Sequence, residues 1–191
     1  MRDANPVTVR LADYRPPAYL VEDVHLTFRL APLATRVLSR IRFRPNPAAP
    51  GPFHLHGEQL TLIRAAIDGV EVTPRKVADG ITCAVPDGPF TWEAEVEIAP
   101  ETNTALEGLY MSRGMYSTQC EAEGFRRITY FPDRPDVMAK YTVMLRADKE
   151  KYPVLLSNGN LVEEGDLGDG RHYAKWEDPF KKPSYLFALV A

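Results

Sequence analysis

Cysteine is scarce in this 191-residue chain. Only Cys83 and Cys120 occur, too few for the disulfide framework that staples small secreted domains. A reducing compartment is therefore expected. Long hydrophobic runs are missing too: none approaches the roughly 20 apolar residues of a membrane-spanning helix. The opening MRDANPVTVR has no apolar core of the kind a secretion signal carries. The expected location is the cytoplasm. Charge of one sign is also lacking. The 23 lysines and arginines against 26 acidic residues leave a net charge of -3, so there is no cationic field for phosphate backbones or an anionic membrane. Neither nucleic acid nor membrane is an expected partner.

The motifs of self-contained catalysis are absent as well. A zinc peptidase needs two histidines one helical turn apart with a glutamate base between them, H-E-x-x-H, and the chain has none. There is no G-x-S-x-G elbow, no phosphate-binding loop and no dinucleotide fingerprint. GDLGDG, residues 165–170, sits between strand patterns and reads as a hairpin loop. In HLHGE, His54 and His56 flank Leu55 and share a face if the segment is extended. No third ligand lies nearby in the sequence, so no metal site is expected in this chain. His25 and His172 fall within strand patterns and read as structural. Cys120 has no histidine close in sequence to activate it, and Cys83, in ITCAV, reads as a small apolar strand residue.

What the chain does have is alternation. Val24, Leu26, Phe28 and Leu30 alternate with polar neighbours, and Phe90, Trp92, Ala94, Val96 and Ile98 oppose Thr91 and a glutamate row. Val37, Ile41 and Phe43 alternate with arginines. Residues 60–73 fold back at Asp68-Gly69, a hairpin dipeptide. Further strands are expected at 125–131, 141–147, 154–157, 171–176 and 185–190, with a tight turn at Asn158-Gly159. Residues 45–52, PNPAAPGP, cannot form ladder bonds at their prolines and predict an exposed loop. Only 134–140, opened by Asp133 as a cap with Pro135 in the first turn, predicts a helix. Seventeen prolines spread along the chain fit turns and edges. The expectation is one all-β domain over 1–191, a β-sandwich of mostly antiparallel sheets with at most one or two short helical turns. The apolar end YLFALVA suggests truncation at a domain edge.

One constellation is specific: NTALEGLY at 103–110, STQCEAEGFRRITYFPDRPDV at 117–137, KYPVLLSNGN at 151–160 and DPFKKPSYLFALVA at 178–191. In this order they resemble the amino-terminal domain of bacterial M1-family zinc aminopeptidases. The resemblance extends from ADYRPPAYLVEDVHLTF to the last residue. It implies a saddle-shaped β-sandwich that is the non-catalytic part of an enzyme and is inactive alone. The zinc, the H-E-x-x-H and the G-x-M-E-N motifs would belong to a catalytic domain following residue 191. That domain and the amino terminus of a peptide substrate are the implied partners.

In that family the T-Q-C-E loop reaches into the cleft, and its positions here are Gln119 and Glu121. The resemblance assigns Glu121 to the substrate α-ammonium and Gln119 to the first side-chain pocket. Chemistry agrees, since a carboxylate is the natural partner for the cation an aminopeptidase must recognise. If the segment is extended, Gln119 and Glu121 project to one side and Cys120 to the other. Glu123 shares that face, and only the family motif singles out Glu121. The PDRP turn, Pro132 to Pro135, reads as scaffold, and Tyr110, Tyr130 and Phe131 as packing. The competing reading is a free-standing β-sandwich binding module, which would bind through exposed aromatics. Trp92 and Trp176 both fall in strand alternations and are expected to be packed. A domain cut from a larger enzyme should expose an apolar patch that a native module lacks.

Overall fold

The computed structural model describes residues 10–191, and the opening MRDANPVTV, read above for a leader, lies outside the described residues. Fifteen strands follow one another along the described chain: β1 (Tyr19–Arg29), β2 (Thr35–Pro45), β3 (His54–His56), β4 (Thr61–Ile67), β5 (Val70–Glu71), β6 (Arg75–Val77), β7 (Gly80–Thr82), β8 (Phe90–Ile98), β9 (Gly108–Ser112), β10 (Met115–Gln119), β11 (Met138–Asp148), β12 (Leu156–Ser157), β13 (Asn160–Gly168), β14 (Arg171–Pro183) and β15 (Leu189–Val190). They form an eight-stranded sheet in the order β13-β14-β11-β1-β2-β8-β4-β5, a four-stranded sheet β12-β15-β10-β9 and a three-stranded sheet β3-β7-β6. Among these ladders, only β1 with β11 is parallel.

The alternation in β1, β2 and β8 does what its period demands. Ile67, Trp92, Ile41, Val24 and Tyr141 lie in register across five strands, and all five are buried. The opposite face carries cross-strand ion pairs: Arg36 with Glu95 and Glu97, and Arg40 with Glu93. Burial of the first set against the second layer drives the fold, because each large side chain removed from water contributes about 1.5–3 kcal/mol. The ion pairs are half-exposed and set register more than stability.

The second layer is the two small sheets and their connections. Phe53, just before β3, packs edge-on against Phe43 and Phe90. Phe125 and Phe187 close over Tyr141, and Phe28 stacks on Phe187. The result is an all-β sandwich, as the alternation predicts. Asp68-Gly69 turns with φ of 49° and 80° between β4 and β5, and Asp169-Gly170 with 52° and 72° between β13 and β14. Both tight turns use the left-handed conformations that favour these residues. Of the loop expected at 45–52, residues 46–52 form no strand, but Pro45 is the last residue of β2 and lies opposite Tyr19, a strand end where proline is tolerated.

Four expected elements differ. Residues 134–140 are not a helix. Val137, Ala139 and Tyr141 are buried while Met138 and Lys140 are exposed, so the two-residue period of β11 extends back through the segment and outweighs the capping signal. Asp133 is engaged elsewhere, as described below. Residues 125–131 are not a strand but begin with a 3-10 turn at Phe125–Arg127. Phe125 and 128–131 are all buried, with none of the alternation a half-solvated strand shows. The expected strand at 185–190 shortens to Leu189–Val190 after a 3-10 turn at Ser184–Leu186, and 154–157 shortens to Leu156–Ser157. The 3-10 turns at Leu11–Asp13 and Pro100–Thr102 bring the described total to four, more than the one or two expected.

Candidate functional site

Strand β10 delivers the T-Q-C-E segment to the surface. Gln119 is its last residue and pairs with Gly108 of β9. The chain then turns sharply, with the Gly124 N–H donating to the Cys120 carbonyl at 2.9 Å. Gln119 and Glu121 are exposed and Cys120 is buried between them. The alternation anticipated for an extended segment thus survives in burial, although the ladder stops at Gln119. The Gln119 amide donates through Nε2 to the Glu121 carbonyl oxygen at 3.0 Å, which ties the two candidate residues together. Burial pushes the Cys120 thiol far above its ordinary value, so it is a neutral packing group. The Cys83 thiol is also raised by burial.

Close packing behind the turn holds it in place. A Cβ on Gly124 would lie 2.2 Å from the Gln119 carbonyl oxygen and 3.0 Å from the Gly108 nitrogen. Only a glycine allows that approach. Downstream, the buried Asp133 carboxylate accepts from the Arg126 backbone N–H at 3.1 Å, from Arg126 Nε at 3.2 Å and from the Ser184 hydroxyl at 2.5 Å. This cluster fastens the segment after the turn to the end of β14.

The carboxylates of the segment are not equivalent. Glu123 lies 3.3 Å from the Arg126 guanidinium, and Glu107 and Glu58 both pair with Arg127. Among the described residues, no cation pairs with the Glu121 carboxylate. Sequence alone could not separate Glu121 from Glu123, because the difference depends on where Arg126 points.

Both tryptophans are packed. Trp92 is fully buried, and Trp176 donates its indole N–H to the Leu155 carbonyl at 3.0 Å. Neither offers a sugar-stacking platform. The outer face of the four-stranded sheet, in contrast, is apolar in part. Leu156, Val190 and Ser117 lie opposite one another, with Met115 and Gln119 on the same face of β10. Leu156, Val190 and Met115 are all exposed.

The two histidines of HLHGE have a companion that lies far from them in sequence. His54 and His56 do share a face, and the β6–β7 turn brings the Asp79 carboxylate to both. Strand pairing across a turn, invisible in a one-dimensional pattern, makes that juxtaposition.

Aminopeptidase N of Caulobacter vibrioides is 51% identical over the whole chain, which spans 22% of that protein. Aminopeptidase N of Escherichia coli is 49% identical over 94% of the chain, spanning 21% of its length. The chain thus covers about a fifth of these relatives. Among solved structures, an aminopeptidase A of Legionella pneumophila in complex with aspartic acid superposes with a TM-score of 0.88 at 36% identity, over 96% of this chain and 22% of that one. An M1 zinc metallopeptidase from Deinococcus radiodurans, at 17% identity and a TM-score of 0.72 over 91% of this chain and 42% of that one, shares the fold. The model of the Peptidase M1 N-terminal domain matches residues 41–186, and the chain belongs to that family.

Proposed function

We propose that this chain is the substrate-anchoring, non-catalytic part of a zinc aminopeptidase, in which Glu121 receives the α-ammonium of a peptide and Gln119 lines the first side-chain pocket. The observation that carries the reading is the state of the Glu121 carboxylate: exposed, on a turn braced by Gly124, and free of any cation among the described residues. The neighbouring Glu123 is already paired. An exposed carboxylate without a partner, on a backbone turn fixed by close packing, is available to take a charged one. Zinc and the water it activates would come from the catalytic domain of the same protein. The apolar outer face of the four-stranded sheet, continuous with Gln119, is where that domain would pack. The two free thiols fit the cytoplasm as its compartment.

The test uses the full-length enzyme that carries this domain. Glu121→Gln and Glu123→Gln are compared by kcat/KM on an aminoacyl amide. Truncating one partner of a desolvated charge pair costs about 2–5 kcal/mol, so Glu121→Gln should lose roughly 30-fold or more. Glu123→Gln should stay within about threefold, as expected for an exposed pair. Equal effects at the two positions would refute the assignment.

A further inference from the structure

We propose that His54, His56 and Asp79 form a binding site for a borderline divalent metal ion of the Zn2+ type, which would tie β3 to the β6–β7 turn. The case begins with the backbone. Strand β3 pairs with β7 through His54 with Thr82 and His56 with Gly80, and residues two apart on a strand face the same way. The two imidazoles accordingly stand edge to face with centroids 4.8 Å apart.

Gly80 brings the third group in. A Cβ at that position would lie 1.9 Å from the Leu55 carbonyl oxygen and 2.9 Å from the His56 Cα, so only glycine lets the turn come this close. The Gly57 N–H donates to the Asp79 carbonyl at 3.1 Å and clamps it there. One Asp79 oxygen is then 3.0 Å from His54 Nε2 and the other 3.9 Å from His56 Nε2.

Donor type and spacing both suit a metal. The three ligand atoms lie within 4.8 Å of one another. A tetrahedral ion with bonds near 2.1 Å needs them roughly 3.4 Å apart, so loading would draw the two imidazoles toward each other as well as the exposed Asp79 side chain toward His56. Two imidazoles and one carboxylate are a borderline donor set that favours zinc, copper or nickel over magnesium or calcium. The fourth position would face a groove of about 650 Å³ lined in part by Arg15, Tyr19, Pro52 and Arg134, where water completes the shell.

His56 sets the strength of the site. Its Nδ1 accepts the Asp133 backbone N–H at 3.1 Å, so in the metal-free state Nε2 carries the proton. Loading places the ring in its Nδ1–H tautomer and gives up that one hydrogen bond in exchange for coordination at Nε2. Binding is therefore weaker than in a closed four-ligand site, and it leaves a signature in the imidazole nitrogen resonances of His56.

The full-length enzyme that carries this domain, zinc-loaded at its catalytic site and dialysed free of excess metal, is titrated with Zn2+ by calorimetry at pH 7.5, and the wild type is compared with His54→Gln, His56→Gln and Asp79→Asn. Asp79 is largely exposed, so that variant tests the site without disturbing the core. One equivalent should bind to the wild type, with a loss of roughly tenfold or more in each variant, at least as large as altering a metal's outer-shell partners causes. Zinc should also shift the His56 nitrogen resonances and raise the melting temperature of the wild type but not of Asp79→Asn. Absence of one-equivalent binding, binding unchanged in all three variants, or binding lost only on Cys83→Ser would overturn the proposal.

Discussion

Asp133 is where the architecture behind the Gln119–Glu121 turn is most exposed to attack by a single substitution. Its carboxylate is buried and receives three donors, two from Arg126 and one from Ser184. Asp133→Ala would leave the guanidinium, itself only 15% exposed, without its buried counter-charge, and would also orphan the fully enclosed Ser184 hydroxyl. Removing one partner of a buried ion pair costs about 3–5 kcal/mol. For a domain of this size each kcal/mol lowers the melting temperature by about 2–4 °C, so Asp133→Ala should melt roughly 6–20 °C below the wild type. Asp133→Asn keeps the shape and an acceptor oxygen, and should cost about half as much. Thermal melts and urea denaturation, followed by circular dichroism and by tryptophan fluorescence, measure both. An Asp133→Ala unfolding free energy within about 0.5 kcal/mol of the wild type would refute the view that this cluster organises the segment.

Tyr141 offers the opposite expectation. Its hydroxyl is buried and has no partner among the described residues, so Tyr141→Phe should be neutral or stabilising by up to about 1 kcal/mol in the same denaturation assay. Asp136 supplies a pH dependence. Hydrogen bonds from the Arg134 guanidinium, and then from the Tyr14 hydroxyl, hold its carboxyl below the ordinary aspartate value. A pKa depressed on folding stabilises above the unfolded value, near about 3.9, and that contribution is lost as pH falls through the folded value. Asp136→Asn should therefore cost about 1 kcal/mol at pH 7, and the gap to the wild type should close below roughly pH 4, as thermal melts across a pH series would show.

The large sheet was readable because β1, β2 and β8 bury one face and solvate the other, which writes a two-residue period directly into sequence. Strand β11 carries the same period from Val137 onward, but the Asp-Arg-Pro sequence before it imitates a helix start, and local capping chemistry misled the reading. The segment after Gly124 is ambiguous in sequence for the converse reason. Phe125, Ile128 and Phe131 are apolar and β-compatible, and 128–131 are buried without a break, so no alternation in the sequence separates a tight turn from a strand. The site was half visible. The family motif points to Gln119 and Glu121, whereas the pairing that separates Glu121 from Glu123 depends on the direction of Arg126. Asp79 was out of reach altogether, because its place beside His54 follows from the β3–β7 pairing and from the room that Gly80 leaves.

The central claim, that Glu121 reads a free ammonium group, is tested most directly by a two-by-two kinetic cycle on the full-length enzyme. Wild type and Glu121→Gln are each assayed by kcat/KM on an aminoacyl amide and on its des-amino analogue, with zinc content checked in both proteins. The account predicts that Glu121→Gln costs about 2 kcal/mol or more on the amine substrate and almost nothing on the analogue, a coupling assigned to the ammonium–carboxylate contact. An equal loss on both substrates, with zinc unchanged, would contradict it and reduce Glu121 to a support of the turn.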